Sequence, residues 1–375
     1  MILGIDFGYN SVKVVILDKN KIITFGEKKV FDDINRFDPD KIQSSHWVSA
    51  FKSLMSELSI NLRKINTTVT SINGKKVSLK YLTTLEVEEE ELNNILNFEA
   101  KKLVPLDGTD PVIDYHIFGQ NAKEIDKIDL ILVATTQKII RAHAKIIKDC
   151  GLKSVVFDAS PISLLNCYKY NYDCPQNSVD VIIDLGCVSS TIIVYGENQE
   201  IFTREIPIGG HNITLSIMEL KKIDYLNAEE IKIKHGIMNF DSNSDVENES
   251  IQIMQRNIIS ELSDEIRKTL RYYMKSKSGV SYNKFYISGA TASMLGLIDS
   301  LNSTLNIEFE VLNPLINLET KNNFDLNKYN TAIGSAIGNN LKQRNLKSNN
   351  SALNKENIIL KQIDKIKGFL FNEIK

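Results

Sequence analysis

The sequence predicts a two-lobed α/β protein with a small α+β domain inserted in its first half. Three observations carry this expectation. A strand–turn–strand hairpin with an acidic residue closing its first strand occurs at the start of the chain and again near residue 180. Between the two lies a block that reads strand, helix, strand, strand, helix. A length of 375 residues also exceeds what one ordinary core organises, pointing to two or three domains.

The elements follow in order. Ile2–Asp6 is an apolar run stopped by Gly8, Tyr9 and Asn10, and Val12–Asp18 resumes with β-branched residues, which predicts a hairpin. Trp47, Ala50, Phe51, Leu54, Met55 and Leu58 recur at helical spacing, so Trp47–Leu58 reads as an amphipathic helix. Thr67–Ile72 is a strand before the turn Asn73-Gly74. In the inserted block, Val77–Leu82 reads as a strand. Glu88–Leu103 reads as a helix with Glu88 to Glu91 at its start and Lys101-Lys102 at its end, the charge order that suits the helix dipole. Strands over Val112–Phe118 and Leu130–Thr135 and a helix over Lys138–Cys150, ended by Gly151, complete it.

Ser154–Asp158 reads as a strand, Ile162–Tyr168 as the start of a helix, and Asn171–Ser178 as a loop at a lobe boundary. Val179–Asp184 then repeats the opening run, small polar residues turn, and Thr191–Tyr195 returns as a strand. This self-similarity argues for two related lobes. Asn239–Glu249 reads as a surface loop, Ile251–Ser276 as a long helix, and Lys284–Ser288 as a strand ending in Gly289. Gln343–Asn357, rich in Asn, Ser and Lys, reads as a linker. In the last segment Ile359, Ile363, Ile366, Leu370 and Ile374 share a helical face, with Lys361, Lys365, Lys367 and Lys375 largely elsewhere. Such a basic amphipathic helix is either an interfacial anchor or a helix that docks on protein.

The expected organisation is therefore a first lobe over 1–75, an inserted domain over 76–151, and the first lobe again over 152–175. The second lobe follows over 176–330, with an insertion at about 221–282. A closing helix spans 331–342, a linker 343–357 and the terminal helix 358–375.

Composition narrows the function classes. The formal net charge of −2 provides no basic excess for a nucleic-acid surface. The start of the chain lacks the basic flank and apolar run of a signal peptide, and no apolar stretch reaches the roughly 18 residues that span a bilayer. Cys150, Cys167, Cys174 and Cys187 show no metal-ligand spacing and read as reduced, packed thiols, so cytoplasm is the expected compartment.

The two hairpins carry the chemistry. A polyphosphate with Mg²⁺ needs backbone N–H groups at tight turns, hence Gly and small side chains, and one or two carboxylates for a metal that keeps most of its water. Asp6, Gly8, Tyr9, Asn10 and Ser11 supply such a set, and Asp184, Gly186, Ser189, Ser190 and Thr191 supply it again. Lys13 reads equally well as a phosphate contact or as a solvated strand residue.

Gly4-Ile5-Asp6-Phe7-Gly8 and Asp184-Leu185-Gly186 resemble the phosphate-1 and phosphate-2 motifs of the actin, Hsp70 and sugar-kinase superfamily. Glu205-Ile206-Pro207-Ile208-Gly209-Gly210 resembles the segment that closes its nucleotide pocket. Asn227-Ala228-Glu229-Glu230-Ile231-Lys232 is similar to the AE-x-x-K helix of bacterial actins, and Phe285 to Thr291 to the adenosine motif. There Gly289, Ala290 and Thr291 stand in the usual Ser-Gly-Gly region, and Ala290 departs from it. Ala332-Ile333-Gly334-Ser335-Ala336 looks like the second connecting helix. The inserted block is similar to that of the FtsA and PilM branch, the 1C or SHS2 type, and the pattern from Glu88 through Tyr115 favours PilM.

This resemblance implies an actin-like (RNase H-like) fold with ATP and Mg²⁺ as cofactors. The implied contacts are Asp6, Gly8, Tyr9, Asn10, Ser11, Lys13, Asp184, Gly186, Ser189, Ser190, Thr191, Gly209, Gly210, Glu229, Lys232, Gly289, Ala290 and Thr291, with Asp6 and Asp184 on the metal. It further implies a type IV pilus scaffold at the inner face of the inner membrane. Its partners would be the N-terminal cytoplasmic peptide of a PilN-like protein, the pilus motor ATPases and the platform protein, with a membrane surface met through 358–375. Self-association is left open. Ser160 stands where the family often carries an acid that orients water, so ATP binding is better supported than turnover. His46, His116, His143 and His235 read as surface or satisfied core, and His211, directly after the Gly pair, as the one to test. Two other readings compete: an FtsA-like membrane-tethered filament former, and a small-molecule kinase, for which no sugar-pocket segment is evident.

Overall fold

The structure is a computed structural model that describes residues 1–31, 37–121, 123–152, 155–197, 199–237, 246–277, 279–320 and 326–338, with backbone alone at 75 and 246–257. The linker over 343–357, the terminal helix over 358–375 and the end of the closing helix over 339–342 lie outside the described residues. No helix among the described residues is long and apolar enough to cross a membrane.

The first half builds β1 (Ile2–Phe7), β2 (Ser11–Asp18), β3 (Lys21–Lys29), α1 (Ser44–Glu57) and β4 (Thr67–Ile72). Next come β5 (Ser78–Leu85), α2 (Glu89–Lys101), β6 (Pro111–Gln120), β7 (Lys127–Thr136) and α3 (Gln137–Asp149), then β8 (Val155–Ala159) and α4 (Ser160–Asn171). The second half has β9 (Val179–Leu185), β10 (Ser190–Tyr195), β11 (Phe202–Ile206), α5 (Gly210–Lys221), α6 (Tyr225–His235), α7 (Val246–Ser276), β12 (Tyr282–Ser288), α8 (Leu297–Leu305) and β13 (Phe309–Val311). A last helix, α9, covers residues 330–338.

Two five-stranded sheets repeat one topology. The orders are β3-β2-β1-β4-β8 and β11-β10-β9-β12-β13. In each, three antiparallel strands continue into two parallel ones. The fold is the two-lobed α/β class that the paired hairpins predict, in the arrangement that the resemblance to the actin superfamily implies. A separate three-stranded antiparallel sheet, β5-β7-β6, carries α2 on one face, with Leu92, Leu96 and Ala100 buried against Leu130 and Leu132.

The two lobes exchange helices. α4 follows the first sheet yet packs Leu164, Leu165 and Tyr168 against Ile182, Ile193 and Tyr286 of the second. α9 follows the second sheet yet packs Ala332, Ile333, Ala336 and Ile337 against Ile2, Val15 and Val69 of the first. They cross closely, since a Cβ on Gly334 would lie 1.7 Å from the Ser163 carbonyl oxygen; α9 also presses on β1, where a Cβ on Gly4 would lie 2.0 Å from the Ala332 carbonyl oxygen. An aromatic contact adds to this. Phe37, from the segment before α1, stacks on Tyr225 at 5.3 Å and meets His211 edge-on at 5.1 Å.

Several elements escape the sequence pattern. β3 (KIITFGEKK) mixes lysines with apolar residues because it is an edge strand, with only Ile22 buried. The short elements β11, α8 and β13 show too few periods to register. α5 begins at the second glycine of the pair, and the side chain that caps its start is Asn212, whose Oδ1 accepts from the Gly209 N–H at 2.9 Å. The residues read as a loop over Asn239–Glu249 include the start of α7, which begins at Val246.

Candidate functional site

Each acidic hairpin residue occupies the same place in its sheet. Asp6 pairs with Lys13 on the antiparallel side and lies beside Ser71 on the parallel side. Asp184 pairs with Thr191 and lies beside Ser288. Both hairpins open onto one cleft of about 710 Å³, within the size range of small-molecule sites. Asp6, Gly8, Tyr9, Asn10, Ser11 and Lys13 line one wall. Asp184, Gly186, Ser189, Thr191, Gly210, Glu229, Lys232, Gly289, Ala290 and Thr291 line the other.

The turns are built without side chains for a reason visible in the geometry. A Cβ on Gly186 would sit 2.7 Å from the Ser189 carbonyl oxygen, whose partner is the Gly186 N–H at 3.0 Å. Gly289 has φ of +94°, and a Cβ there would come within 2.4 Å of the Leu185 carbonyl oxygen and 2.8 Å of Asp184 Oδ1. The Gly186 carbonyl oxygen accepts from the Gly210 N–H at 3.0 Å and from the Thr291 hydroxyl at 2.8 Å. The second acidic turn is thereby tied to the start of α5 and to the turn after β12.

Charge is unevenly matched across the cleft. Asp6 Oδ1 accepts from Asn73 Nδ2 at 2.8 Å, while Lys13 Nζ stands 3.8 Å from both Asp6 Oδ2 and Glu27 Oε1. Glu27 also accepts from the Ser11 hydroxyl at 2.6 Å and pairs with Lys328. Burial opposes the Glu27 charge, but Lys13, with the hydrogen bonds from Lys328 and Ser11, outweighs it and holds the carboxyl below its ordinary value. Asp184 is the opposite case. Burial first, and then the negative charge of Asp6, push it up to about 6, against weaker pulls from Ser288 and Lys13.

The buried Asp184 carries an uncompensated share of the Asp6 charge despite Lys13, and a hydrated divalent cation beside the two carboxylates would relieve it. Among the described residues no three His, Cys, Asp or Glu gather as a metal cage. An ion here would keep water and lean on phosphate oxygens, the habit of Mg²⁺.

Glu229 and Lys232 share one face of α6, as a spacing of three requires. Lys232 Nζ donates to Glu229 Oε2 at 2.6 Å, to Thr214 Oγ1 at 2.9 Å and to the Gly210 carbonyl oxygen at 3.2 Å. The pair therefore fixes the start of α5 as well as lining the cleft. Ser190 and Gly209 do not line it. Strand alternation turns Ser190 away from Ser189 and Thr191, and its hydroxyl donates to the Ile208 carbonyl oxygen at 2.6 Å. Gly209 packs beneath the turn, where a Cβ would lie 2.5 Å from the Cys187 carbonyl oxygen.

Ser160 faces the cleft. His211 sits 3.2 Å from the Tyr225 hydroxyl, and burial, then Lys232, hold its imidazole below the ordinary value. It is a packed, neutral side chain. All four cysteines are free thiols, and burial pushes Cys187, at the second turn, up to about 12.

Four contributors were not anticipated. Trp47 Nε1–H donates to the Gly8 carbonyl oxygen at 2.8 Å, Asn73 orients Asp6, and Glu27 is shared between Lys13 and Lys328. Trp47 carries only the signal of an apolar helix position, and Asn73 only that of a turn. Glu27 lies on the unrecognised strand.

A family model described as type IV pilus assembly protein PilM matches residues 4–343. The chain belongs to the PilM family. Among solved structures it resembles the PilM–PilN type IV pilus biogenesis complex, with a TM-score of 0.74, 18% identity, and 90% of this chain and 98% of that one covered. It also resembles the ethanolamine utilization protein EutJ from Carboxydothermus hydrogenoformans, with a TM-score of 0.52, 14% identity and coverage of 89% and 88%. MreB5 of Spiroplasma citri bound to AMPPNP gives a TM-score of 0.52, 10% identity and coverage of 92% and 98%. At these identities the likeness carries the actin-like fold. The cell division protein FtsA of Helicobacter pylori strain J99 is 28% identical over 71 residues, 19% of this chain, and the match spans only 14% of that protein's length. PilM-family membership thus rests on nearly the whole chain, and the FtsA likeness on a short stretch.

Proposed function

We propose that this PilM-family protein is a cytoplasmic ATP- and Mg²⁺-binding scaffold of the type IV pilus inner-membrane assembly complex. Asp6 and Asp184 hold the hydrated metal, which supplies the positive charge that a triphosphate needs. The turns over Gly8 to Ser11 and Gly186 to Thr191, with Lys13, receive the phosphates. Glu229, Lys232 and the stretch Gly289, Ala290 and Thr291 flank the adenosine. The observation that carries this reading is the meeting of two equivalent acidic hairpins on one cleft, one per sheet.

Turnover has little support. Ser160 cannot act as a base, and the two glutamates of the cleft, Glu27 and Glu229, are each paired with lysine. Nucleotide binding closes the two lobes and sets the surface between the first lobe and the inserted domain. That surface receives the N-terminal cytoplasmic peptide of a PilN-like protein, supported by the likeness to a PilM–PilN complex over 98% of that chain. The complex then couples to the pilus motor ATPases and the platform protein, with residues 358–375 at the membrane surface.

Calorimetric Mg-ATP affinity of the wild type against Asp6→Ala and Asp184→Ala tests the cleft. A loss of tenfold or more is expected, and equal affinities would sink the assignment. Immobilised PilN-type peptide should capture the protein, more strongly with Mg-ATP. Filaments by electron microscopy, with liposome co-sedimentation that requires the residues after 347, would turn the reading toward an FtsA-like tether.

A further inference from the structure

A second concavity, of about 300 Å³, lies on the flank of α7, away from the cleft. Its floor is apolar: Leu270, Met274, Tyr282, Leu305 and Ile307. The Tyr282 hydroxyl is committed to the Leu270 carbonyl oxygen at 2.7 Å, so it offers the groove no polar handle. Met274 is 37% exposed, an unbranched, polarisable side chain of the kind that adapts to incoming apolar groups.

The rim is basic. Arg267, Arg271 and Lys275 recur every four residues, which places them on one stripe of α7. Arg267 is engaged with Asp264 at 2.7 Å and with the Thr304 carbonyl oxygen at 2.9 Å. Arg271 and Lys275 are exposed and make no ion pair among the described residues, and no carboxylate lines the groove. Elsewhere on the same helix Glu265 is matched, by Arg204 and Lys268. An apolar hollow edged by two unmatched cations thus has a defined complement.

We infer that this groove docks an acidic amphipathic helix of a partner protein, with apolar side chains entering the hollow and carboxylates facing Arg271 and Lys275. Helix-in-groove recognition reads apolar anchors at helical spacing, and charges at the rim select the partner. The shape and sign exclude the nearest competitors. The chain's own 358–375 segment carries Lys361, Lys365, Lys367 and Lys375 against Asp364 and Glu373, so a basic rim repels it. A bilayer surface is broad and cannot reach the floor of a hollow, whereas a helical ridge can.

The test uses the full-length protein and a fluorescein-labelled synthetic helix with leucines along one face and glutamates flanking them. Anisotropy should show saturable binding. Scrambling the peptide should weaken it at least about tenfold, and so should the double variant Arg271→Glu, Lys275→Glu, whose side chains are exposed and leave the fold intact. Circular dichroism of the variant verifies that last point. No saturable binding, or equal binding of the scrambled peptide, overturns the inference. It is overturned too if the charge reversal instead abolishes binding to phosphatidylglycerol vesicles, or a concentration-dependent self-association, while the helix stays bound.

Discussion

The hydroxyl of Thr291 donates to the carbonyl oxygen of Gly186 at 2.8 Å, joining turns 105 residues apart. That oxygen also accepts the Gly210 N–H, so the shape of the second acidic turn is set by tertiary partners as much as by its own residues. Thr291→Val keeps the volume and removes the donor. It should lower stability by about 1 kcal/mol and weaken Mg-ATP binding several-fold, with Thr291→Ser restoring both. Urea titration and calorimetry read the two effects. Valine and serine behaving alike would show that the bond does not matter.

Trp47 is the only tryptophan in the chain, and its indole N–H is bound to Gly8 of the first acidic turn. Its emission should therefore shift when Mg-ATP fills the cleft. Trp47→Phe should cost about 1 kcal/mol and loosen that turn, seen as a faster nucleotide off-rate. Unchanged emission under calorimetrically saturating Mg-ATP would place the nucleotide away from Gly8.

The pH dependence follows from Asp184. Its ordinary value is 3.8 and the folded protein raises it to about 6. A raised carboxyl favours the folded state fully below the ordinary value and loses that contribution as pH climbs through about 6. Asp184→Asn should thus stabilise the nucleotide-free protein at pH 7 to 8, on the order of 1–3 kcal/mol, and have little effect near pH 3.5. Mg-ATP affinity of the wild type should fall as pH drops below about 6. A variant no more stable at pH 8 than the wild type would contradict the burial and repulsion inferred at this carboxylate.

Gly334 marks where α4 and α9 cross. With a Cβ 1.7 Å from the Ser163 carbonyl oxygen, Gly334→Ala forces two backbones apart and should cost about 3 kcal/mol. Thermal denaturation measures it. A melting temperature within a degree of wild type would mean that the helices slide freely.

The acidic hairpins were legible because strand endings and turn chemistry are local. Val179 to Thr191 repeats Ile2 to Lys13 closely enough that the duplicated lobe shows without a fold in hand. What holds those hairpins in place was not legible. Asn73 reaches Asp6 across 67 positions, and Lys328 reaches Glu27 across 301, and nothing in a short window announces either contact. Ser190 shows the complementary error: its residue type suits a phosphate turn, but strand alternation points it into the protein.

Phe37 is 5% exposed because it is wedged between rings of the opposite half, beside the helix start that borders the cleft. Spreading the halves would strip that ring of its neighbours and wet it, a penalty of about 1.5–3 kcal/mol for a phenylalanine side chain. Phe37→Ala should therefore speed the release of anything lodged in the crevice, this ring being one contact among those that join the halves. A side chain that need never touch the cargo would then set part of the tempo of its exchange.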